Sequence, residues 1–192
     1  IRKCELLVSH AKIRQNYSKF LHASYLSELL LFCEIPVIES EDYFDLLKQT
    51  ITKLSEFDNC AEIKLNFEIK LLKLLGISPS LISCIACGNF LWKNDSGKLI
   101  TIKNSIPYQL DPNQGGIRCP NCLINNTYAA ALNPGSLSYL HNSQSGRNNG
   151  FKIKPTQNNL KELDQALNLY FIHFFGKNLK SYSLLKENLW KN

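Results

Sequence analysis

The sequence predicts a mainly α fold, a helical bundle-like domain interrupted by one small β module. Three observations carry that expectation. Long segments on both sides of the chain's middle repeat apolar residues at a period close to 3.6, the spacing of a helix with one buried stripe. The stretch 84–122 abandons that period for short β-branched, alternating runs. Each end of that stretch bears a Cys-x-x-Cys pair, Cys84/Cys87 and Cys119/Cys122. The expected organisation is a first helical part over 1–83, a zinc-ribbon module over 84–123, and a second helical part over 124–192 that packs back on the first.

Residues 3–34 hold neither Gly nor Pro, and Leu6, Leu7, Ile13, Tyr17, Phe20, Leu21, Tyr25, Leu26, Leu29 and Leu30 recur at helical spacing. Pro36 closes this segment, because proline disfavours helix in the residue before it. Ser40, followed by Glu41 and Asp42, reads as an N-cap with acidic residues in the first turn. The helix it opens runs to Phe57, with Phe44, Leu47, Ile51 and Leu54 as its stripe. In residues 62–76, Glu62, Asn66, Lys70 and Lys73 share one narrow face, and the rest of the circumference is largely apolar. Gly76 and Pro79 then stop the run, so it reads as a helix buried on most sides. Residues 98–102 and 106–110 are strand candidates, and 111–116 (DPNQGG) is a turn by composition. A helical turn is expected near 137–140, and a loop over 141–150. Thr156 caps a helix striped by Leu160, Leu163, Leu167, Tyr170, Phe171 and Phe174. Gly176 breaks it, and 179–189 resumes the pattern.

A Cys-x-x-Cys turn aims two sulfurs at one point, and two such turns supply the four soft ligands that zinc takes in a tetrahedron. Gly88 relieves the first turn and Pro120 stiffens the second. Four thiolates leave no open coordination position, so Cys84, Cys87, Cys119 and Cys122 predict a structural zinc, not a catalytic one. Redox pairs would call for a thioredoxin-like βαβ context, which is not visible. The cysteine count of 7 is odd and no secretory pattern opens the chain, which argues against a disulfide framework. No apolar run reaches membrane-spanning length. No Ser/His/Asp, Cys/His or paired acid–base pattern is readable, so no enzyme is expected. The chain begins at Ile1 and contains 0 methionines, which suggests the rear part of a longer protein.

The net charge of +6 is unevenly placed. Residues 1–83 carry 10 Lys/Arg against 11 Asp/Glu, a balance of −1, and residues 84–192 carry 12 against 5, a balance of +7. A basic half points to an anionic partner, usually nucleic acid.

Four stretches give the chain a family likeness: ASYLSELL (23–30), FEIKLLKLLGISPSLISCIACG (67–88), QLDPNQGGIRCPNC (109–122) and FFGKNLKSYSLL (174–185). In this order they resemble the C-terminal part of RecO, the bacterial DNA recombination and repair mediator. The resemblance implies an oligonucleotide-binding barrel ahead of a helical domain with a zinc module, and Ile1 leaves no room for that barrel. It also implies binding of single- and double-stranded DNA, strand annealing, engagement of the acidic tail of single-stranded DNA-binding protein, and RecA loading together with RecR. The setting it implies is the bacterial cytoplasm, at the nucleoid.

Candidate DNA contacts are Arg118 beside the second cysteine pair, Arg147, Lys152 and Lys154 around the 141–150 loop, and Lys177 and Lys180 past the aromatic end of the penultimate helix. Each has a plainer reading as a solvated charge, or for Lys177 and Lys180 as complements to a helix C-terminus. Lys70 and Lys73, with Phe67 and Leu71 as apolar neighbours, are candidates to receive an acidic peptide tail, against the plain reading of a solvated face. The alternative function is a zinc-ribbon protein-interaction module with no DNA binding of its own.

Overall fold

The computed structural model describes residues 8–35, 40–93, 98–99, 107–125, 127–146 and 154–189. Seven helices occur among them: α1 (Ala11–Gln15), α2 (Tyr17–Leu31), α3 (Ser40–Glu56), α4 (Cys60–Leu74), α5 (Pro134–Gln144), α6 (Gln157–Phe175) and α7 (Lys180–Leu189). Strands β1 (Trp92–Lys93) and β2 (Lys98–Leu99) form a short antiparallel pair. Strands β3 (Tyr108–Asp111), β4 (Gly116–Arg118) and β5 (Ala130–Leu132) form an antiparallel sheet in the order β4-β3-β5. The fold is mainly α with a small β module, as the sequence predicts. No described helix is long and apolar enough to cross a membrane.

The chain divides into two compact units, 1–67 with 178–192, and 68–177. The division falls within α4, whose residues 60–67 belong to the first unit and 68–74 to the second.

In the first unit, α7 packs on α2, and α3 on α1 and α2. The long helix expected from residue 3 is broken at Asn16, whose extended backbone takes it out of the helix and whose side chain accepts from the Lys19 N–H. Asn competes in this way with its own backbone, so it starts helices better than it continues them. Residues 1–7 and Pro36 lie outside the described residues. On α3 the buried stripe is Tyr43, Leu46, Thr50 and Leu54, so Leu54 is buried as expected, the other three each stand one position before the expected residue, and Phe44 is exposed. Tyr17 and Phe20 of α2 are likewise exposed, while Lys19 and His22 are buried. Lys64 of α4, 1% exposed, lies 4.9 Å above the Tyr25 ring and 5.6 Å above that of Tyr182, a cation held by two ring faces. Glu28 of α2 accepts from the Lys180 and Ser181 N–H groups and from the Ser181 hydroxyl, which caps α7 from another helix.

In the second unit, α5 and α6 pack together and α6 lies against β5. α5 extends through His141 and Gln144 where a loop was expected, because the Asn133 side chain caps it and Gln144 anchors its end on the Pro79 carbonyl, 3.0 Å away. Residues 147–150 of that expected loop lie outside the described residues. Glu162 of α6 accepts from the Asn133 N–H and the Ser136 hydroxyl, and Thr156 and Asn159 form a capping box. The Tyr170 hydroxyl donates to the Ile77 carbonyl at 3.0 Å. Burial pushes that phenol up to about 12, so it remains a donor at any physiological pH. Gly176, left-handed at φ 70°, ends α6 as expected.

Candidate metal centre

Both cysteine turns are built by local hydrogen bonds. The Cys84 N–H donates to the Asn89 carbonyl at 2.9 Å, and the Gly88 N–H to the Cys84 carbonyl at 2.8 Å. That closure requires φ +74° at position 88, which glycine adopts without strain. At the second turn, Pro120–Cys122 form one turn of 3-10 helix, and the Cys122 N–H returns to the Cys119 carbonyl at 2.9 Å. Pro120 fits its start, since its missing N–H has no partner to lose there.

Strand pairing brings the two turns together. The β3–β4 hairpin pairs Gln109 with Arg118 and Asp111 with Gly116. The segment leading to Cys84 runs along β4, with Ser80 N–H to Gly115 carbonyl, Ile117 N–H to Ser80 carbonyl and Ile85 N–H to Ile117 carbonyl. A side chain at Gly116 would put its Cβ 2.5 Å from Ile85 and 3.1 Å from the Ser80 carbonyl, so glycine is what lets the two turns approach. Asp111 Oδ1 accepts from the Asn113 and Gln114 N–H groups, which shapes the hairpin turn, and Oδ2 accepts from Arg118 Nε at 3.0 Å. Gln109 holds the chain beyond Cys122 by exchanging both amide bonds with Ile124.

The four sulfurs lie within 4.8 Å of one another, with Cys84 and Cys119 buried, Cys122 half-buried and Cys87 exposed. Cys87 and Cys119 are 3.8 Å apart, sulfur to sulfur. A tetrahedron with metal–sulfur bonds of about 2.3 Å has edges of about 3.8 Å, and a disulfide would need about 2.05 Å. The Cys87–Cys119 pair has the spacing of two ligands on one four-coordinate metal, and the cluster is compatible with such a site. The Cys119 N–H also donates to the Cys84 sulfur at 3.3 Å, a bond from the polypeptide that steadies a thiolate.

Burial pushes the Cys84 thiol up, but N–H groups of Cys119, Cys87 and Ala86 and the Cys87 thiol outweigh it and bring it down to about 6. Burial pushes Cys119 up, and the neighbouring thiols of Cys87 and Cys119 push Cys122 up to about 12. The shifts at Cys84, Cys119 and Cys122 come from burial and from thiols and N–H groups within hydrogen-bonding reach of one another. Tyr108, 3% exposed, has its phenol pushed up by burial and by the charge of Cys119.

Arg118, a candidate DNA contact, is committed to this module. Its side chain is 16% exposed and pairs with Asp111, itself 2% exposed. The pair takes its Nε, and its reading as a DNA contact remains a proposal. Arg147 and Lys152 lie outside the described residues. Lys154 is exposed ahead of α6, and Lys177 is exposed after Gly176. Lys180 opens α7 instead of closing α6, and its charge lies beside Glu28. Of the stripe proposed for an acidic tail, Phe67 and Leu71 are core residues, 1% and 0% exposed, and only Lys70 and Lys73 face solvent. The sequence reading missed the Trp92–His141 stack, rings 3.9 Å apart, and the indole bond from Trp92 to the Leu81 carbonyl. Both join residues distant in the chain, and nothing in the local pattern signals them.

The family model described as "Recombination protein O C terminal" matches residues 14–183. Among curated proteins, the DNA repair protein RecO of Syntrophus aciditrophicus is 26% identical over 191 residues, covering 97% of this chain and 69% of that protein. The DNA repair protein RecO of Symbiobacterium thermophilum is 26% identical, covering 96% and 70%. That of Bacillus pumilus is 24% identical, covering 97% and 68%.

Proposed function

This chain belongs to the recombination protein O family, whose C-terminal region it matches, and from that membership we propose that it acts in DNA repair as a mediator that performs no covalent chemistry. In this reading it binds DNA and protein partners, single-stranded DNA-binding protein and RecR among them, and so promotes strand annealing and RecA loading at the nucleoid in the cytoplasm. The family match over 14–183 is the observation that carries the reading. The basic balance of +7 over residues 84–192 supports an anionic partner.

The metal we assign to the cysteine cluster is zinc, in a structural role. Four sulfur donors within 4.8 Å of one another suit zinc, and a four-thiolate set leaves no position for water or substrate. When bound, the ion supplies closure of the two cysteine turns. Elemental analysis of the purified chain is expected to give one zinc per chain, and a different metal or none would refute the assignment.

Fluorescence anisotropy with a single-stranded oligonucleotide at low salt tests the DNA reading. Binding is expected to be weak, indifferent to base sequence and salt-dependent. With about three or four phosphate contacts, log K against log salt should slope at roughly −2 to −4. Lys154, Lys177 and Lys180 are the described candidates for those contacts, with Arg147 and Lys152 completing the set. The second reading, a protein-interaction module that leaves DNA alone, is favoured by one observation: Arg118, nearest the cluster, is held by Asp111. No binding at micromolar protein would select it.

A further inference from the structure

The four cysteines differ in their access to solvent. Cys84 and Cys119 are 1% and 4% exposed, Cys122 is half-buried, and Cys87 is exposed. The sulfur of the exposed residue, Cys87, lies 3.8 Å from that of the buried Cys119, across the two turns. Elsewhere, Cys33 and Cys60 are buried, and burial pushes both thiols up, so they carry little reactive thiolate. We propose that Cys87 is the oxidant-sensitive member of the cluster, and that peroxide-class oxidants convert Cys87 and Cys119 into a disulfide with loss of the metal. The metal part of this rests on the structural-zinc reading above.

The chemistry balances with peroxide as the only added reactant. The Cys87 thiolate attacks one peroxide oxygen. The O–O bond breaks, Cys87 becomes a sulfenic acid, and the departing hydroxide takes one proton to become water. The Cys119 thiolate then attacks the Cys87 sulfur. The S–S bond forms, the S–O bond breaks, and the second hydroxide takes a proton to become water. Each sulfur gives up one electron and the peroxide takes both. Cys84 and Cys122 are left as two of the four ligands, too few to retain the ion. Cys87 lies in the first turn and Cys119 opens the second, so the new bond spans the gap that the ion had spanned. A bond within one turn would not do this. The Cys119 N–H on the Cys84 sulfur keeps that sulfur turned towards the second turn and away from such a pairing.

The test uses the chain with Cys4, Cys33 and Cys60 replaced by alanine, loaded with zinc and analysed for metal before any oxidant is added. Hydrogen peroxide is then titrated in the presence of a chromogenic chelator, free thiols are blocked, and peptides are mapped. The expected result is loss of the bound zinc at about one peroxide per ion, a Cys87–Cys119 link as the main cross-link, and recovery of zinc binding after dithiothreitol. Cys87→Ser should slow zinc release severalfold and abolish the cross-link. If Cys87→Ser cannot hold zinc, the peptide map of the parent chain decides. Retention of zinc under excess peroxide, or a main link of Cys84–Cys87 or Cys119–Cys122, overturns the proposal. A chain without zinc in the first analysis overturns the zinc reading and this proposal with it, a failure distinct from one seen only after peroxide.

Discussion

The two units are held together by different means. The first, 1–67 with 178–192, has helices among its described residues and no strand, and its core includes the buried Tyr25, Leu26 and Leu29 of α2 and Leu185 of α7, two helices that pack together. Its charge balances, with 11 Lys/Arg against 11 Asp/Glu. The second, 68–177, holds every described strand, the cysteine cluster and the buried Asp111–Arg118 pair, with 11 Lys/Arg against 5 Asp/Glu, or +6. Its strands are two to four residues long, and although Tyr108, Leu110, Ile117 and Leu132 on them are buried, its two cysteine turns are closed by a few specific polar contacts. The first unit depends more on interchangeable apolar contacts. A single substitution should hurt the second unit far more than the first.

The largest expected effect is at the cluster. Cys84→Ala removes a buried ligand, and because metal binding is local folding free energy, the 80–122 module should open and lose its ion. Hydrogen exchange should show that loss of protection while α2 and α7 stay protected. Loss of protection in both units alike would break the comparison. Next is Asp111→Ala, which strands the largely buried Arg118 charge and removes the turn bonds. A loss of about 3 kcal/mol is expected in denaturant titration. The double change Asp111→Ala with Arg118→Met should recover part of it, since no charge is then left without a partner.

In the first unit the most exacting polar contact is the Glu28 cap, and its effect should be smaller. Glu28→Ala should cost about 1 kcal/mol, the usual worth of a helix cap. The cap also sets a pH dependence. Burial pushes the Glu28 carboxyl up, but the Ser181 hydroxyl and the Ser181 and Lys180 N–H groups outweigh it and hold it below its ordinary 4.5. A depressed carboxyl binds its proton more readily in the unfolded chain. Its contribution is therefore present above about 4.5 and lost as pH falls through the lower folded value. The Ser181 amide should exchange faster over that acid range in the native chain, and at every pH in Glu28→Ala. The smallest effect is expected from Lys154→Ala, which should alter the salt slope for single-stranded DNA by about 0.7 and leave both units' stability unchanged.

The cysteine cluster was legible because a Cys-x-x-Cys turn is closed by bonds a few residues long, and α4 and α6 because their stop and start signals are equally local. The break at Asn16 was legible in principle, since an Asn side chain caps the turn that follows it. The Arg118 partnership was not. Asp111 lies seven positions away, and only the β3–β4 register turns the two side chains towards each other. How far the DNA and tail candidates reach solvent was not legible for the same reason, because exposure belongs to the packed fold. Phe67 and Leu71 looked like neighbours of a basic face and are core.

The sequence by itself determined where α3, α4 and α6 lie, where Thr156 and Gly176 bound α6, that four cysteines come in two turns, and that the basic charge lies in the later half. Each is a property of residues within a turn or two of one another, or of composition. The tertiary structure alone decided which way each helix faces, so that Tyr43 and Leu46 are buried on α3 and Phe44 is not. It also decided that Lys64 is buried over two tyrosines, that Glu28 caps a helix far along the chain, and which cysteine is open to solvent. Those outcomes depend on what packs opposite a residue, and a one-dimensional pattern carries the period of a buried face without naming its partner.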